Sequence, residues 1–206
     1  MGAVIKKFAR TMYHSKAEVI KNAPQNFFEI EARELNGKTF KFKELQNKKA
    51  ILIVNVASGC QLTNRNYREL NELYKEFRSK GLEILCFPCN QFYNREPRCN
   101  ADIEKYLKEQ FMPEFKVFEK IDCNGTKAHE AYKYLRMNCS EFKSNKNKSI
   151  KRSVFGNDEE EVYKPIPLTF SKFLLDKNGK VVHYYEPLIF PSSFRNDIVT
   201  LLNVSS

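Results

Sequence analysis

Cys60 follows an apolar run at residues 50–56 and precedes a segment whose apolar residues recur at helical spacing. The run predicts a buried strand, so Cys60 would lie in a short loop between a strand end and a helix N-terminus. In that position the helix dipole and free backbone amides favour the thiolate over the thiol. The thiolate is the nucleophilic form of cysteine, so the sequence predicts redox or acyl-transfer chemistry at Cys60.

A strand–helix–strand unit is predicted to hold this cysteine. The nearly continuous apolar run at residues 50–56 is typical of a central strand that is covered on both faces. The next segment has apolar residues at helical spacing, which are Tyr67, Leu70, Tyr74 and Phe77. Gly81 indicates the end of that helix, and residues 82–87 form the next predicted strand. Such a unit joins two parallel strands by a right-handed connection.

The rest of the chain supplies two predicted hairpins and three predicted helices. The hairpins pair residues 27–32 with 39–42 and residues 169–175 with 181–185, and the helices cover residues 101–110, 127–136 and 196–202. Together with the strand–helix–strand unit, these elements predict an α/β protein with a thioredoxin-like fold, in which helices flank a central mixed sheet.

Composition predicts one domain with two charged additions. The chain has 206 residues, of which 42% are hydrophobic, and this is enough for a sizeable core. We assign residues 1–22 to a basic N-terminal extension and residues 23–206 to the thioredoxin-like domain. A charged insertion without apolar periodicity interrupts the domain at about residues 141–166, and we interpret it as an exposed, mobile segment. No apolar run reaches membrane-spanning length, which argues against a transmembrane protein.

The formal net charge of +10 raises the question of an acidic partner. No nucleic acid is expected, because the chain carries no nucleic-acid-binding motif. Weak contact with an anionic membrane through residues 1–22 and 141–152 is one interpretation. A lysine-rich surface without such a partner is the other. The predicted location is cytoplasmic. A mitochondrial location is the alternative, because a basic, acid-poor N-terminus is typical of transit segments.

Two motifs resemble the glutathione peroxidase family in its cysteine form. They are Asn55-Val56-Ala57-Ser58-x-Cys60-x-Leu62-Thr63 and Phe87-Pro88-Cys89-Asn90-Gln91-Phe92, with supporting matches at Glu96-Pro97, in residues 120–125 and in residues 170–182. The resemblance covers residues 25–202 and implies that family's thioredoxin-like fold. It also implies reduction of hydrogen peroxide or of organic and lipid hydroperoxides, in response to oxidative stress. The Cys60 thiolate would become a sulfenic acid that a second thiol resolves. No bound cofactor is implied, and glutathione or a thioredoxin-like protein would be the reducing co-substrate.

The residues expected around Cys60 depart from the family pattern. The family's Gln falls on Arg95, its Trp and Asn correspond to Leu168 and Thr169, and its Gly after the nucleophile is Gln61. Two interpretations follow. In a rebuilt site, the Arg95 cation favours the thiolate and Thr169 donates a hydroxyl hydrogen bond, an arrangement that resembles peroxiredoxins. In a decayed site, the chain would be a weakened or inactive relative that acts as a redox sensor or an interaction module.

Arg95 has a simpler alternative, which is a surface salt bridge to Glu96 or Asp102. The identity of the resolving thiol is also open, since Lys108 stands at the position of the family's resolving cysteine. Cys89 and Cys99 are the candidates in its place. Without an internal partner, a mechanism with one cysteine and glutathione or another small thiol would remain.

The pair Cys86 and Cys89 is formally a C-x-x-C motif, but it lies at a predicted strand end. Residues three apart on an extended strand point to opposite faces, so we interpret Cys86 as core packing. No metal site is predicted, because the cysteines lack the paired spacing of zinc fingers and the three histidines are scattered.

Overall fold

A computed structural model describes residues 16–144 and 161–203. The strands in these two ranges are β1 (Glu18–Val19), β2 (Glu31–Arg33), β3 (Thr39–Lys41), β4 (Ala50–Val56), β5 (Leu82–Pro88), β6 (Lys116–Val117), β7 (Val162–Tyr163), β8 (Lys172–Asp176) and β9 (Val181–Tyr185). The α-helices are α1 (Thr63–Phe77), α2 (Asn100–Gln110), α3 (Glu130–Met137) and α4 (Arg195–Asn203). Short 3-10 helices occur at Phe27–Glu29, Phe42–Leu45, Arg78–Lys80, Ser140–Phe142 and Pro191–Phe194.

Five strands form the central sheet in the order β6-β5-β4-β8-β9. Strand β4 pairs in parallel with β5 and antiparallel with β8, so the sheet is mixed. Helix α1 connects the two parallel strands, as the strand–helix–strand prediction requires. Gly81 ends this connection with a φ of 109°, in the left-handed region that favours glycine. The predicted thioredoxin-like architecture is therefore confirmed.

The sheet separates two hydrophobic cores because successive strand residues point to opposite faces. The first core contains Ile51, Ile53 and Phe87 and lies under the β2–β3 hairpin and α3. The second core contains Leu52 and Val54 and is covered by α1, α2 and α4. Each fully buried Ile, Leu, Val or Phe side chain stabilises the fold by about 1.5–3 kcal/mol relative to an exposed one.

Cys86 and Cys89 follow the same alternation. Cys86 packs in the second core and Cys89 in the first, and both are fully buried. Burial raises the pKa of the Cys86 thiol, as expected of a packing residue. The two sulfurs therefore lie on opposite sides of the sheet, and the C-x-x-C spacing does not form a redox pair here.

Three predicted elements begin later in the structure than in the sequence analysis. The strand expected from residue 27 begins at Glu31, because Phe27–Glu29 form a 3-10 helix that Asn26 caps by accepting the Phe28 amide at 3.0 Å. The helix expected from residue 127 begins at Glu130, because the ring of His129 caps it by accepting a hydrogen bond from the amide of Ala131 at 3.2 Å. The strand expected from residue 169 begins at Lys172, because Phe170 has a φ of 65° and turns the chain before the strand.

The described part of the N-terminal extension pairs with the described end of the insertion. Strand β1 runs antiparallel to β7, and the fully buried Arg136 donates from Nη1 to Glu18 Oε1 at 2.6 Å. Val162, Tyr163 and Ile166 are buried, so the described end of the insertion is not exposed as the sequence predicted. The predictions for residues 1–15 and 145–160 lie outside the described residues. Among the described helices, none is long and apolar enough to cross a membrane.

Removing the Glu18 carboxylate should destabilise the protein, because Arg136 is then a buried cation without its partner. We expect Glu18→Ala to lower the free energy of unfolding by about 2–3 kcal/mol in chemical denaturation, since Glu18 itself is partly exposed. Glu31→Ala is the matched control, because Glu31 pairs with Lys41 on the surface and should cost less than about 0.5 kcal/mol. Equal losses in the two variants would contradict this role of Arg136.

Candidate active site

Cys60 is half-buried in the loop between β4 and α1. The loop is closed at both ends by Thr63, whose hydroxyl donates to the carbonyl of Ala57 at 2.6 Å and whose amide donates to the carbonyl of Cys60 at 3.1 Å. The Cys60 side chain packs against the second core. The predicted position of Cys60, between the end of a buried strand and the start of a helix, is therefore the position observed.

A buried carboxylate holds the loop from the other side. Glu96 is 1% exposed, and its two oxygens accept hydrogen bonds from the amide and the hydroxyl of Ser58 at 2.6 and 2.7 Å. The amide of Glu96 donates to Asn90 Oδ1 at 2.8 Å, which fixes the carboxylate in turn. Hydrogen bonds to an ionised group are about twice as strong as neutral ones. Glu96 therefore determines where the residues before Cys60 lie.

Arg95 lies beside the residue that precedes Cys60. Its carbonyl accepts the Gly59 amide at 2.9 Å, and its guanidinium Nη1 donates to the Gly59 carbonyl at 3.3 Å. A Cβ on Gly59 would lie 2.9 Å from the Arg95 carbonyl oxygen, so this approach requires glycine. The two carboxylates considered as salt-bridge partners of Arg95 bind other groups. Glu96 accepts from Ser58, and Asp102 accepts from the Cys99 thiol.

A second cation, which the sequence analysis missed, reaches the same loop. Arg98 donates from Nη1 to the hydroxyl oxygen of Ser58, and its guanidinium lies 4.7 Å from the centroid of the Tyr106 ring. Tyr106 also donates its hydroxyl to the carbonyl of Ser58 at 3.5 Å. Glu96 and Arg98 therefore meet at one serine hydroxyl, two residues before Cys60. The only sequence signal for this arrangement was the Glu96-Pro97 match.

Thr169 lies on a buried loop that is tied to the carboxyl end of β4. The side chain of Asn55 donates to the carbonyl of Leu168 at 3.0 Å, and the carbonyl of Asn55 accepts the Phe170 amide at 2.7 Å. Thr169, between these two bonds, is 3% exposed. The loop is thus fixed at the strand end that leads to Cys60, while donation of the Thr169 hydroxyl to Cys60 stays a prediction.

Lys172 is a fully buried amine that supports the Thr169 loop, and the sequence analysis did not identify it. Its Nζ donates to the carbonyls of Phe170 and Pro187 at 2.8 and 3.2 Å. Burial lowers the pKa of Lys172 to about 7, against a smaller opposing effect of Glu69. A neutral amine has two N–H donors, and the two carbonyls match them.

The stability of the protein should therefore depend on pH through Lys172. An unfolded lysine titrates near 10.4, so between about pH 7 and 10 the unfolded chain binds a proton that the folded protein does not. The free energy of unfolding must then rise as the pH rises through this window. Relative to Lys172→Met, the wild type should gain about 2 kcal/mol between about pH 7.5 and 9.5 in denaturant titrations.

The exposed Lys180 provides the control for this prediction, since Lys180→Met should follow the wild-type pH dependence. Wild-type and Lys172→Met curves that stay parallel across the window would contradict the lowered pKa of Lys172.

The two candidate resolving cysteines lie in different environments. Cys99 is exposed at the N-terminal cap of α2, and its thiol donates to Asp102 Oδ2 at 3.1 Å. Helix α2 covers the same core against which Cys60 packs, and Arg98, next to Cys99, contacts the Cys60 loop. Cys89 is fully buried in the first core, on the opposite face of the sheet from Cys60.

Two other positions named in the sequence analysis are at the surface. Gln61 is exposed, next to Cys60 in the loop. Lys108 is also exposed and pairs with Glu104 at 2.8 Å. Among residues 16–144 and 161–203, the structure holds no cluster of three or more His, Cys, Asp or Glu side chains that could bind a metal ion.

Comparison with known proteins agrees with the motifs. The glutathione peroxidase family model matches residues 27–136. An Arabidopsis thaliana protein named "Probable glutathione peroxidase 8" is 41% identical over 182 residues, which are 88% of this chain and 97% of that protein. A second protein of that plant, named "Probable phospholipid hydroperoxide glutathione peroxidase 6, mitochondrial", is 38% identical over 89% of this chain and 70% of its own.

Solved structures show the same relationship. The crystal structure of T. cruzi GPX1 matches with a TM-score of 0.61 at 26% identity, over 86% of this chain and 97% of that one. The sequence resemblance and the α/β thioredoxin-like fold predicted from it are thereby confirmed, as is the general assignment to peroxidase-type oxidoreductases. This chain belongs to the glutathione peroxidase family.

Proposed function

We propose that the protein is a thiol-dependent peroxidase that reduces hydrogen peroxide or organic and lipid hydroperoxides through Cys60. The observation that carries the proposal is the half-buried Cys60 thiol in a loop that Glu96, Arg95 and Arg98 hold by hydrogen bonds. A nucleophile reacts efficiently when the protein holds it in place before the substrate arrives. The hydrogen bonds that fix this loop support the interpretation of a rebuilt site over that of a decayed site.

The proposed first step is attack of the Cys60 thiolate on one oxygen of the hydroperoxide. The S–O bond forms as the O–O bond breaks, and the leaving oxygen takes a proton to become an alcohol, or water when the substrate is hydrogen peroxide. Cys60 is oxidised to the sulfenic acid by two electrons. The guanidinium groups of Arg95 and Arg98 bind the two residues before Cys60 and would stabilise the negative charge that develops on the leaving oxygen.

Cys99 is the resolving cysteine in this proposal. Its thiolate attacks the Cys60 sulfenic acid, water leaves, and a disulfide forms, which an external thiol then reduces. The exposure of Cys99 and its place beside Arg98, on the same face of the sheet as Cys60, support this assignment over Cys89. The external reductant is glutathione or a thioredoxin-like protein, and no bound cofactor takes part.

Mapping the disulfide tests this assignment. We expect one equivalent of hydrogen peroxide to link Cys60 to Cys99 in the reduced protein, as located by alkylation, digestion and mass spectrometry. Cys99→Ser should instead accumulate a Cys60 sulfenic acid that dimedone traps. A Cys60–Cys89 disulfide would contradict the choice of Cys99. A sulfenic acid that persists in the wild type would contradict it as well, and would favour the mechanism with one cysteine and a small thiol.

The cellular role follows from the same proposal. Removal of hydroperoxides would serve the response to oxidative stress, in the cytoplasm or in mitochondria. The mitochondrial alternative is favoured by the relative whose name places it there. The membrane contact considered for residues 1–22 and 141–152 falls largely outside the described residues.

A further inference from the structure

We propose that Cys89 and Cys123 form a second redox centre, a buried dithiol that hydroperoxide oxidises to an intramolecular disulfide without the participation of Cys60. Cys89 follows β5, and Cys123 lies in the loop between β6 and α3. Both side chains are fully buried in the first core. This pairing is distinct from the proposed reaction of Cys60 and Cys99.

The backbone brings the two cysteines together. The carbonyl of Pro88 accepts the Ile121 amide at 2.9 Å, which joins the two segments just before each cysteine. The side-chain oxygen of Gln91 accepts the Cys123 amide at 2.9 Å and lies 3.8 Å from the Cys89 sulfur. Gln91 thus bridges the two cysteines, and each thiol shifts the pKa of the other. A disulfide requires Cα atoms within about 7 Å, a separation that segments joined by a backbone hydrogen bond allow.

The environment makes the two thiols unequal. The hydrogen bond from Cys123, with help from nearby backbone amides, lowers the pKa of Cys89, whereas burial raises the pKa of Cys123. Cys89 is therefore the thiol of the pair that loses its proton more readily. Once ionised, Cys89 attacks the oxidant and Cys123 then resolves it.

The hydroxyl of Tyr132 is a third polar group beside the two cysteines, and it indicates a reactive site more than a packed core. Tyr132 is fully buried, and its hydroxyl has no hydrogen-bond partner of normal length in the described residues. Burial raises the pKa of Tyr132, and the neighbouring Cys123 and Cys89 raise it further. A buried hydroxyl without a partner is costly, and a sulfur of the neighbouring pair, ionised at Cys89 when it reacts, would supply the acceptor.

A surface depression that is large enough for a small oxidant lies close to the pair. A cavity of about 400 Å³ is lined by Asn90, Lys120, Ile121, Asp122, Lys127 and His129. Asn90 is the residue after Cys89, and Asp122 is the residue before Cys123. The cavity thus brings solvent to within one residue of each cysteine along the chain.

The reaction balances with hydroperoxide as the only oxidant. The Cys89 thiolate attacks the peroxide oxygen, the O–O bond breaks, and the alcohol or water leaves, which oxidises Cys89 to the sulfenic acid. The Cys123 sulfur then displaces water and the disulfide forms. The two thiols supply the two electrons that one hydroperoxide takes up. Because the disulfide starts at Cys89, it would restrain the segment that continues to Arg95 and Glu96 and holds the Cys60 loop.

The test uses the Cys60→Ser/Cys99→Ser double variant, in which the proposed active-site disulfide cannot form. The full chain is titrated with hydrogen peroxide, alkylated under denaturing conditions, digested and mapped by mass spectrometry. We expect a peptide that links Cys89 to Cys123, while Cys86 and Cys139 stay alkylated as buried thiols. Adding Cys123→Val should remove the linked peptide.

The wild type provides the second measurement, since it contains no substitution that could disturb folding. The same linked peptide should appear there at excess peroxide, whether or not Cys60 proves to be an efficient nucleophile. The proposal is overturned if Cys89 and Cys123 are both still alkylated when free cysteine is fully oxidised under the same conditions. A disulfide from Cys89 to any other cysteine would also overturn it.

Discussion

Cys60→Ser should reduce hydroperoxide turnover to the rate of the reductant and peroxide without protein. A serine hydroxyl stays protonated at neutral pH and cannot form the sulfenic acid through which the electrons pass. A disulfide between the fully buried Cys89 and Cys123 is out of reach of the external reductant, so that pair consumes one equivalent of peroxide and does not turn over. The expected loss is therefore complete for hydrogen peroxide and for a lipid hydroperoxide alike. The measurement is steady-state peroxide consumption with glutathione or a thioredoxin-like protein as reductant.

Cys139→Ser is the control for that experiment. The Cys139 thiol lies in the first core and donates to Glu141 at 3.0 Å, a bond that a serine hydroxyl retains. This variant should keep wild-type turnover. If Cys60→Ser retained turnover above the background reaction, the nucleophile would have to be a different residue.

Glu96→Ala should lower the rate of Cys60 oxidation by on the order of 100-fold, because small displacements of a reacting group cost about this much. The substitution removes both acceptors of Ser58 and leaves its amide and hydroxyl without the carboxylate. Glu96 is a positioning residue in this account, since it acts on Cys60 through the loop. Stopped-flow measurement of thiol oxidation would give the rate.

Glu96→Gln separates positioning from a general loss of stability. The amide keeps one acceptor oxygen and the shape of the side chain, so most of the rate should return. Glu104→Ala, on the exposed face of the next helix, should leave the rate unchanged. A Glu96→Ala protein that folds and reacts as fast as the wild type would show that the Ser58 contacts do not position Cys60.

The elements around Cys60 were predictable because their sequence signals are local. The apolar run at β4 and the helical spacing of Tyr67, Leu70 and Phe77 are each typical of one element, and α1 and both strands appear where expected. The start of β8 was not predictable in this way. Phe170 takes a positive φ because Asn55, far away in sequence, holds both sides of the turn.

The bracing of the site could not be derived from the sequence for the same reason. Ser58 and Glu96 are 38 residues apart, and their contact exists only once the sheet and α2 have brought the two loops together. Lys172 presents a different difficulty. A lysine at the start of a strand is expected to face solvent, and only the two carbonyls that meet its Nζ explain its burial.

These contacts show what the residues that depart from the family pattern bind in the structure. Arg95 replaces a neutral amide donor with a permanent cation, and Arg98 adds a second one through Ser58. Thr169 sits on a loop that Asn55 and Lys172 hold at its two ends. Glu96 and Lys172 thus fix the loops around Cys60, as the proposed reaction requires.

The most direct test is the second-order rate at which hydrogen peroxide and a lipid hydroperoxide oxidise Cys60 in the fully reduced protein, measured beside free cysteine at the same pH. Our account predicts that Cys60 reacts much faster than free cysteine with at least one of the two, and that Cys60→Ser abolishes this phase. Oxidation no faster than that of free cysteine would contradict it, and would favour a redox sensor or interaction module in place of a peroxidase.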